Sequence, residues 1–513
     1  MSQMDVDTNA ESARGAGTAS QFAHTSGPDL SFEGRGGRVK TGDHQLDEAL
    51  GGGFLPNTIN VIMGQPGTGK TVLAQQMVFN NVGERKVLYL TTLSEPLSKN
   101  VRFLQDFEFF DQAVFNDRLI YEDIGRELID RGPSAVVERM RGVIKEYRPK
   151  IIVIDSFKPV HDLADTLPEL RRIVFEFAGL LSAYDTTTFL IGEYNSEHRT
   201  HAPEFTIADS IVELMLRPHP WYDSRSLRIH KLRGSGYRPG LHAFELSTAG
   251  LRVLPRLVTP NGQDVFRVQE TKLPTGIPGL DPMLGGEGVW SGSATAVLGA
   301  SGTGKTSAVL QFLAEGARRG ERGLIVSLSE KPRQIHNRLA DIAADLPEER
   351  RALIDVDYHP PVETPIDHLI DRIYRRVAET GACRVAIDSL TDLTHAAPDG
   401  VRIGDYAFSL MQFFAVEGVT AAVVLEARLA EYVEIVGLSA RCVQMADNAL
   451  LLNAVFNTRA ARSLRVLKVR NSAFATEARE IDLRADGIHV GAALDDGGVR
   501  DEPALRAAAE GQP

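Results

Sequence analysis

The sequence predicts an α/β fold written twice: two tandem domains, each with a mostly parallel central sheet, helices on both faces and antiparallel strands at the edge. Three observations carry this. Landmarks of the first half recur in the same order in the second, short apolar strand-like runs alternate with helix-like stretches, and each half holds a glycine-rich turn between a strand and a helix. The 513 residues are 43% apolar and 24% charged, ordinary globular values that exclude a mainly disordered, collagenous or fibrous chain.

The repeat is explicit. TGDHQLDEALGGG at 41–53 returns as TGIPGLDPMLGGEG at 275–288, and GQPGTGKT at 64–71 returns as GASGTGKT at 299–306. LSE at 93–95 matches 328–330, IIVIDS at 151–156 matches RVAIDS at 384–389, and SLRIHKLRG at 226–234 matches SLRVLKVRN at 463–471. Subtracting residue numbers puts every offset between 233 and 237, so one domain of about 235 residues is duplicated. The expected organisation is a first domain over 31–255, a linker over 256–272 and a second domain over 273–490. Residues 1–30 and 491–513, rich in small and polar residues, are expected to be disordered tails.

Within the first copy an apolar strand at 58–63 runs into the glycine-rich turn, and a helix is expected from about Val72. Strands at 86–91, 150–155 and 187–191 alternate with helices near 135–147 and 169–183, the pattern of a parallel sheet covered on both faces. After Asp209 the spacing tightens, and 211–216, 226–232 and 242–246 read as antiparallel strands added at the sheet edge.

Charge and cysteine content exclude other classes. Asp plus Glu number 68 against 56 Lys plus Arg, a net charge of -12 that disfavours nucleic acid as the main partner. Two cysteines, Cys383 and Cys442, make neither a disulfide framework nor a zinc site. No apolar run approaches a membrane span, so no membrane association is expected and the chain reads as cytoplasmic.

The chemistry resides in the two glycine-rich turns. In GxxxxGK[ST] the glycines let backbone N–H groups curl around phosphate oxygens at a helix N-terminus, whose dipole favours anions. Gly64, Gly67, Thr68, Gly69, Lys70 and Thr71 form the first such loop; Gly299, Gly302, Thr303, Gly304, Lys305 and Thr306 form the second. The expected ligand is ATP with Mg2+: Lys70 and Lys305 reach the β and γ phosphates, and the hydroxyls of Thr71 and Thr306 ligate magnesium. A dinucleotide reading fails, because neither loop has GxGxxG spacing.

Asp155 and Asp388 each end an apolar strand, where a Walker B carboxylate orders the magnesium shell. A strand-end Asp also caps helices, so the assignment rests on its recurrence in both copies. Glu95 and Glu330, each 25 residues after its loop lysine by subtraction, are candidate catalytic carboxylates; the alternative is a surface glutamate. Glu193 and Glu426 close the next strand and are candidates for sensing the γ phosphate. Lys231 with Arg233, and Lys468 with Arg470, alternate on a strand, so period two sets each pair on one face, suited to an anion held by a neighbouring subunit. The alternative is a solvated strand face.

Taken together, TGxxxLDxxLGGG before GxxGTGKT, an apolar strand ending in Asp-Ser and a late Lys-x-Arg strand resemble the KaiC family of RecA-like P-loop NTPases, over about residues 30–490. The resemblance implies two tandem RecA-like domains in an ATP-dependent homo-hexameric double ring, with nucleotide between subunits and the Lys-x-Arg pairs acting in trans. It also implies ATP hydrolysis and, in the family's clock member, serine/threonine autokinase activity in a system with KaiA and KaiB. The family's paired glutamates appear here as Ser94-Glu95 and Ser329-Glu330, so a differently tuned hydrolysis rate is expected. Counted back from Asp447, the family's phosphorylated Ser-Thr pair falls on Val443 and Gln444, which accept no phosphate, and Ser439 would need another register. The expectation is an ATPase outside the cyanobacterial oscillator, coupling nucleotide state to signalling partners whose identity the sequence does not carry.

Two other classes remain open at this stage. One is a DNA-processing or recombination-mediator ATPase, with 199–205 (RTHAPEF) as a pore loop; the other is a scaffold locked by nucleotide, in which hydrolysis is incidental.

Overall fold

The structure, a computed structural model, describes residues 37–92, 97–115, 117–194, 202–219, 222–254, 271–360, 365–393, 400–429, 433–434, 437–456 and 460–494. The N-terminal tail and most of the linker fall outside the described residues.

The first repeat forms β1 (Ile59–Gly64), β2 (Val87–Thr91), β3 (Leu119–Asp123), β4 (Ile151–Asp155), β5 (Thr187–Gly192), β6 (Ser210–Pro218), β7 (Asp223–Leu232), β8 (Leu241–Ser247) and β9 (Gly250–Val253). Their order across the sheet is β3-β2-β4-β5-β1-β6-β7-β8-β9. Helices α1 (Lys70–Asn81), α2 (Pro133–Tyr147) and α3 (Leu167–Ala183) cover its faces. The second repeat forms β10 (Ala294–Gly299), β11 (Gly323–Ser327), β12 (Ile354–Tyr358), β13 (Arg384–Asp388), β14 (Thr420–Glu426), β15 (Asn448–Phe456), β16 (Ala460–Val469), β17 (Arg479–Arg484) and β18 (Gly487–Ala493). Its order, β12-β11-β13-β14-β10-β15-β16-β17-β18, is that of the first sheet strand for strand. Its longer helices are α4 (Lys305–Arg318), α5 (Pro332–Ile342), α6 (Ile366–Thr380), α7 (Gly400–Glu417) and α8 (Gly437–Met445).

The central strands are mostly apolar because both of their faces are buried. On β4, Ile152 and Ile154 enter one core with α2 and α3, while Ile151 and Val153 enter the other with α1. The second sheet divides in the same way, Val385 and Ile387 on one side and Ala386 on the other. Helix ends follow local chemistry: Thr166 caps α3 by accepting from the Glu169 N–H, with Pro168 in the first turn.

Three expectations need correction. The segment after Asp209 does not begin antiparallel, because β6 lies parallel to β1, with Asn60 beside Ser210 and Gly64 beside Leu214. β15 lies parallel to β10 in the same way, and antiparallel pairing starts only at β7 and β16. The cause is the connection: the chain leaves β5 on one side of β1 and returns through the short helix Pro203–Ile207 to the other side, a crossover that yields parallel strands. Residues 491–493, expected in the disordered tail, belong instead to β18, which runs to Ala493 and pairs there with Arg479. The linker drawn to 272 ends earlier, since Lys272 and Leu273 pair with Trp290 and Val289.

The repeats touch through an ion cluster. Arg252 of β9 binds Glu245 of β8 at 2.6 Å and Asp371 of α6 at 2.8 Å, and Arg375 reaches the same Asp371 at 3.0 Å.

Candidate nucleotide sites

Each phosphate loop grows from the carboxyl end of the strand at the middle of its sheet. Gly64 and Gly299 end β1 and β10 where the next strand crowds them: a Cβ on Gly64 would stand 2.2 Å from the Leu214 carbonyl oxygen, and one on Gly299 2.4 Å from that of Leu452. The loops turn through Gly67 and Gly302 and reach their helices at Gly69 (φ +97°) and Gly304 (φ +103°), a left-handed backbone that glycine adopts without steric cost. These glycines directly precede α1 and α4, so the free N–H groups of the first turn face the loop. Both helices therefore start at the lysine itself, slightly earlier than expected in the first repeat.

The loop side chains repeat almost atom for atom. Thr68 Oγ1 donates to the Gln65 carbonyl and Thr303 Oγ1 to the Ala300 carbonyl, both at 2.8 Å. Lys70 Nζ and Lys305 Nζ donate to those same carbonyls at 2.8 Å. Burial lowers the pKa of each ammonium, against opposing pulls from Glu193 and Asp155 in one repeat and chiefly from Glu426 and Asp388 in the other. Glu193 and Glu426 thus act on the loop lysines through their charge.

Thr71 Oγ1 donates to Asp155 Oδ2 at 2.8 Å, and Thr306 Oγ1 to Asp388 Oδ2 at 2.6 Å. Burial raises the pKa of both carboxyls, and the threonine hydroxyl opposes this in each. A hydroxyl and a carboxylate oxygen side by side at the edge of a phosphate loop are hard donors of the kind Mg2+ takes together with phosphate oxygens and water. The donor set therefore fits the cation.

The repeats differ beside the Asp. In the first, Tyr89 OH donates to the same Asp155 Oδ2 at 2.7 Å; its ring stacks on Tyr121 at 4.8 Å between centroids, and Tyr121 OH donates to Gln75 Oε1 at 2.5 Å. Neither tyrosine was legible as a site residue. A position-by-position comparison of β2 with β11 and of β3 with β12 would have singled them out.

Glu95 lies outside the described residues. Glu330 follows β11, where its N–H donates to Ser327 Oγ at 3.1 Å, and its Oε1 accepts from Arg338 of α5 at 3.1 Å.

The Lys-x-Arg pairs need correction in one respect. β7 ends at Leu232 and β16 at Val469, so each lysine is the last residue but one of its strand and each arginine sits in the following turn. The register also slips at His230 and at Leu467, one extra residue just before each lysine, so each lysine is out of phase with the alternation of the strand that precedes it. Arg233 then pairs with Asp209 at 3.5 Å and Arg470 with Asp447 at 3.2 Å. Lys468 Nζ donates to the carbonyls of Val443, Gln444 and Ala446 at the end of α8, and Lys231 Nζ to that of Phe205 at 3.5 Å.

Their position matters more than their partners. The Arg233 N–H donates to the Asp209 carbonyl, and the Asp209 N–H to that of Ile59, the first residue of β1, whereas the phosphate loop leaves from Gly64. From Ile59 to Gly64 is about 16 Å of strand. Arg470 stands likewise level with the start of β10 through Asp447 and Ala294. Each pair thus lies at the opposite end of the sheet from the phosphate loop of its own repeat.

Comparison with known proteins decides the family. The profile described as "ATPase: KaiC" matches residues 39–258 and again residues 273–495. The chain belongs to the KaiC family. The circadian clock oscillator protein KaiC of Picosynechococcus sp. is 28% identical over 369 residues, which cover 69% of this chain and 70% of that protein. Its namesake from Prochlorococcus marinus is 28% identical over 69% of this chain and 73% of that protein. The Thermostichus vulcanus protein of the same name is 27% identical, with coverages of 72% and 73%.

A KaiC-family ATPase binds ATP, and the tandem KaiC domains of this chain coincide with its two nine-stranded sheets. Among the described residues no helix is long and apolar enough to cross a membrane. Val443 and Gln444 both fall on α8. Ser439, on the same helix, is 6% exposed, and its Oγ donates to the Glu426 carbonyl at 2.9 Å. Of the pore-loop candidate, residues 199–201 lie outside the described residues, and Glu204 is buried against His161 at 2.9 Å.

Proposed function

We propose that this protein is a homo-hexameric double-ring ATPase that hydrolyses ATP at sites shared between neighbouring subunits and couples nucleotide state to protein partners. The observation that carries this is the distance of each Lys-x-Arg pair from its own phosphate loop: a cation at the far end of the sheet serves a phosphate only when another subunit brings it there.

In this reading the N–H groups ahead of α1 and α4 hold the phosphates, and Lys70 or Lys305 leaves its loop carbonyl to neutralise the β and γ oxygens. Thr71 with Asp155, and Thr306 with Asp388, hold Mg2+, which supplies positive charge to the β and γ oxygens when bound. Glu95 and Glu330 receive the proton of the attacking water. Lys231 with Arg233, and Lys468 with Arg470, approach from the neighbouring subunit and stabilise charge developing on the transferred group. Autokinase activity at the family's usual position is disfavoured, since Val443 and Gln444 lack hydroxyls and Ser439 is buried and bonded.

The test is to incubate the full chain with Mg2+ and ATP and to measure particle mass, ADP release and phosphorylated residues. A six-chain particle releasing ADP is expected. The double variant Lys231→Ala, Arg233→Ala should keep nucleotide binding in the first repeat and lose its turnover. A monomer that turns over ATP at the same rate as the assembled protein would overturn the shared-site reading.

A further inference from the structure

The duplication supplies an internal comparison at every position of the site. In the first repeat a buried polar chain runs Gln75, Tyr121, Tyr89, Asp155, from α1 through β3 and β2 to the end of β4. Gln75 and Tyr89 are each 1% exposed. In the second repeat the strand and helix positions that correspond to Gln75, Tyr89 and Tyr121 carry Leu310, Ile325 and Val356, which pack into an apolar core. Asp388 there keeps the Thr306 bond and has an isoleucine where Asp155 has a phenol.

A buried hydroxyl that donates to a carboxylate has two effects. It fixes the rotation of the carboxylate plane, and it offsets part of the cost of keeping the charge out of water. Burial first, and the Asp155 charge second, push the Tyr89 phenol far above its ordinary pKa, so it remains a donor. Stacking on Tyr121, itself anchored by Gln75, holds the ring in place.

Resting on the nucleotide-site reading above, we propose that Tyr89 is a positioning residue for the divalent cation of the first repeat: it fixes the Asp155 carboxylate beside Thr71, and its replacement by isoleucine in the second repeat makes the two sites hold the cation with different strength. Outer partners of a metal-binding carboxylate change metal affinity by about 10-fold or more when removed. The first repeat is therefore the site that keeps its cation at lower concentration.

The experiment uses the full chain with Lys305→Ala to disable the second loop, a non-hydrolysable ATP analogue, and Mn2+ followed by electron paramagnetic resonance. Adding Tyr89→Phe should raise the Mn2+ dissociation constant about 10-fold, with analogue binding in EDTA and the thermal midpoint little changed. Tyr121→Phe should shift it in the same direction by less, and it serves as the reading if Tyr89→Phe is too unstable. In the reciprocal Lys70→Ala background, Tyr89→Phe should leave Mn2+ binding at the second site unchanged. Unaltered Mn2+ affinity in the first background, or equal loosening in both, would overturn the proposal while leaving the nucleotide reading intact. A parent protein that binds no analogue at all would overturn both.

Discussion

Arg338 donates to Glu330 Oε1 at 3.1 Å, while Glu330 Oε2 is buried with no hydrogen-bond partner among the described residues. The guanidinium holds the carboxylate by one oxygen and leaves the other unclaimed, an arrangement fit for accepting a proton from water. With the first loop disabled by Lys70→Ala, Glu330→Gln should lower ATP turnover at least 100-fold. Arg338→Ala should lower kcat less and barely move KM. Steady-state ADP release measures both, and unchanged turnover in Glu330→Gln removes that residue from the chemistry.

Lys468 predicts a pH dependence. Burial first, and Arg470 second, bring its ammonium down to about 8. As pH rises through that value the charge is lost, so turnover in the second repeat should show an alkaline limb there, displaced upward in Lys468→Arg. The stability effect has the opposite sense. The folded chain releases this proton before the unfolded chain does, so from about pH 8 toward the ordinary lysine value stability should rise relative to Lys468→Met. Denaturation midpoints across that range give the comparison.

Arg384 is wholly buried, with Nε bonded to Glu321 at 2.6 Å, Nη1 bonded to the carbonyls of Pro274 and Phe312, and its guanidinium 4.7 Å from the centre of the Phe312 ring. Arg384→Ala should destabilise the second repeat by about 3 kcal/mol, because Glu321 and two carbonyls lose their donor. Urea denaturation measures this; a change below about 0.5 kcal/mol would mean that water replaces the guanidinium without loss.

Arg252 and Asp371 join the repeats. A double-mutant cycle of Arg252→Ala and Asp371→Ala should return a coupling of about 1–3 kcal/mol. It should weaken little with salt, since Asp371 is only 4% exposed. Additive losses would mean that the repeats do not stabilise each other through this contact.

What sequence reading recovers here depends on range along the chain. The phosphate loops and the Asp at the end of β4 and β13 were legible because glycine spacing and strand periodicity are local, and because the second copy repeats them. The direction of β6 was not, since it depends on which side of β1 the chain returns to. The turn position of Arg233 was hidden because β7 ends at Leu232 with no glycine or proline before Arg233 to mark the end, and the extra residue His230 shifts Lys231 out of phase without any sign in composition. Tyr89 meets Asp155 across 66 residues and Arg384 meets Glu321 across 63, pairings made only by packing. Arg384 in particular corresponds to Ile151 in the first copy, so the repeat itself argued for an apolar residue there.

The phosphate loop and the Lys-x-Arg pair occupy opposite rims of each sheet. Two subunits meeting rim to rim would cover one loop and one pair, and would leave a bare loop at one end and an idle pair at the other. Such a contact is polar, head to tail, and every open chain of subunits carries one incomplete site at each level. In the ring proposed above, closure removes those ends, so the last subunit to arrive would complete two sites at each level, and a subunit lacking its cations would silence its neighbour's nucleotide rather than its own.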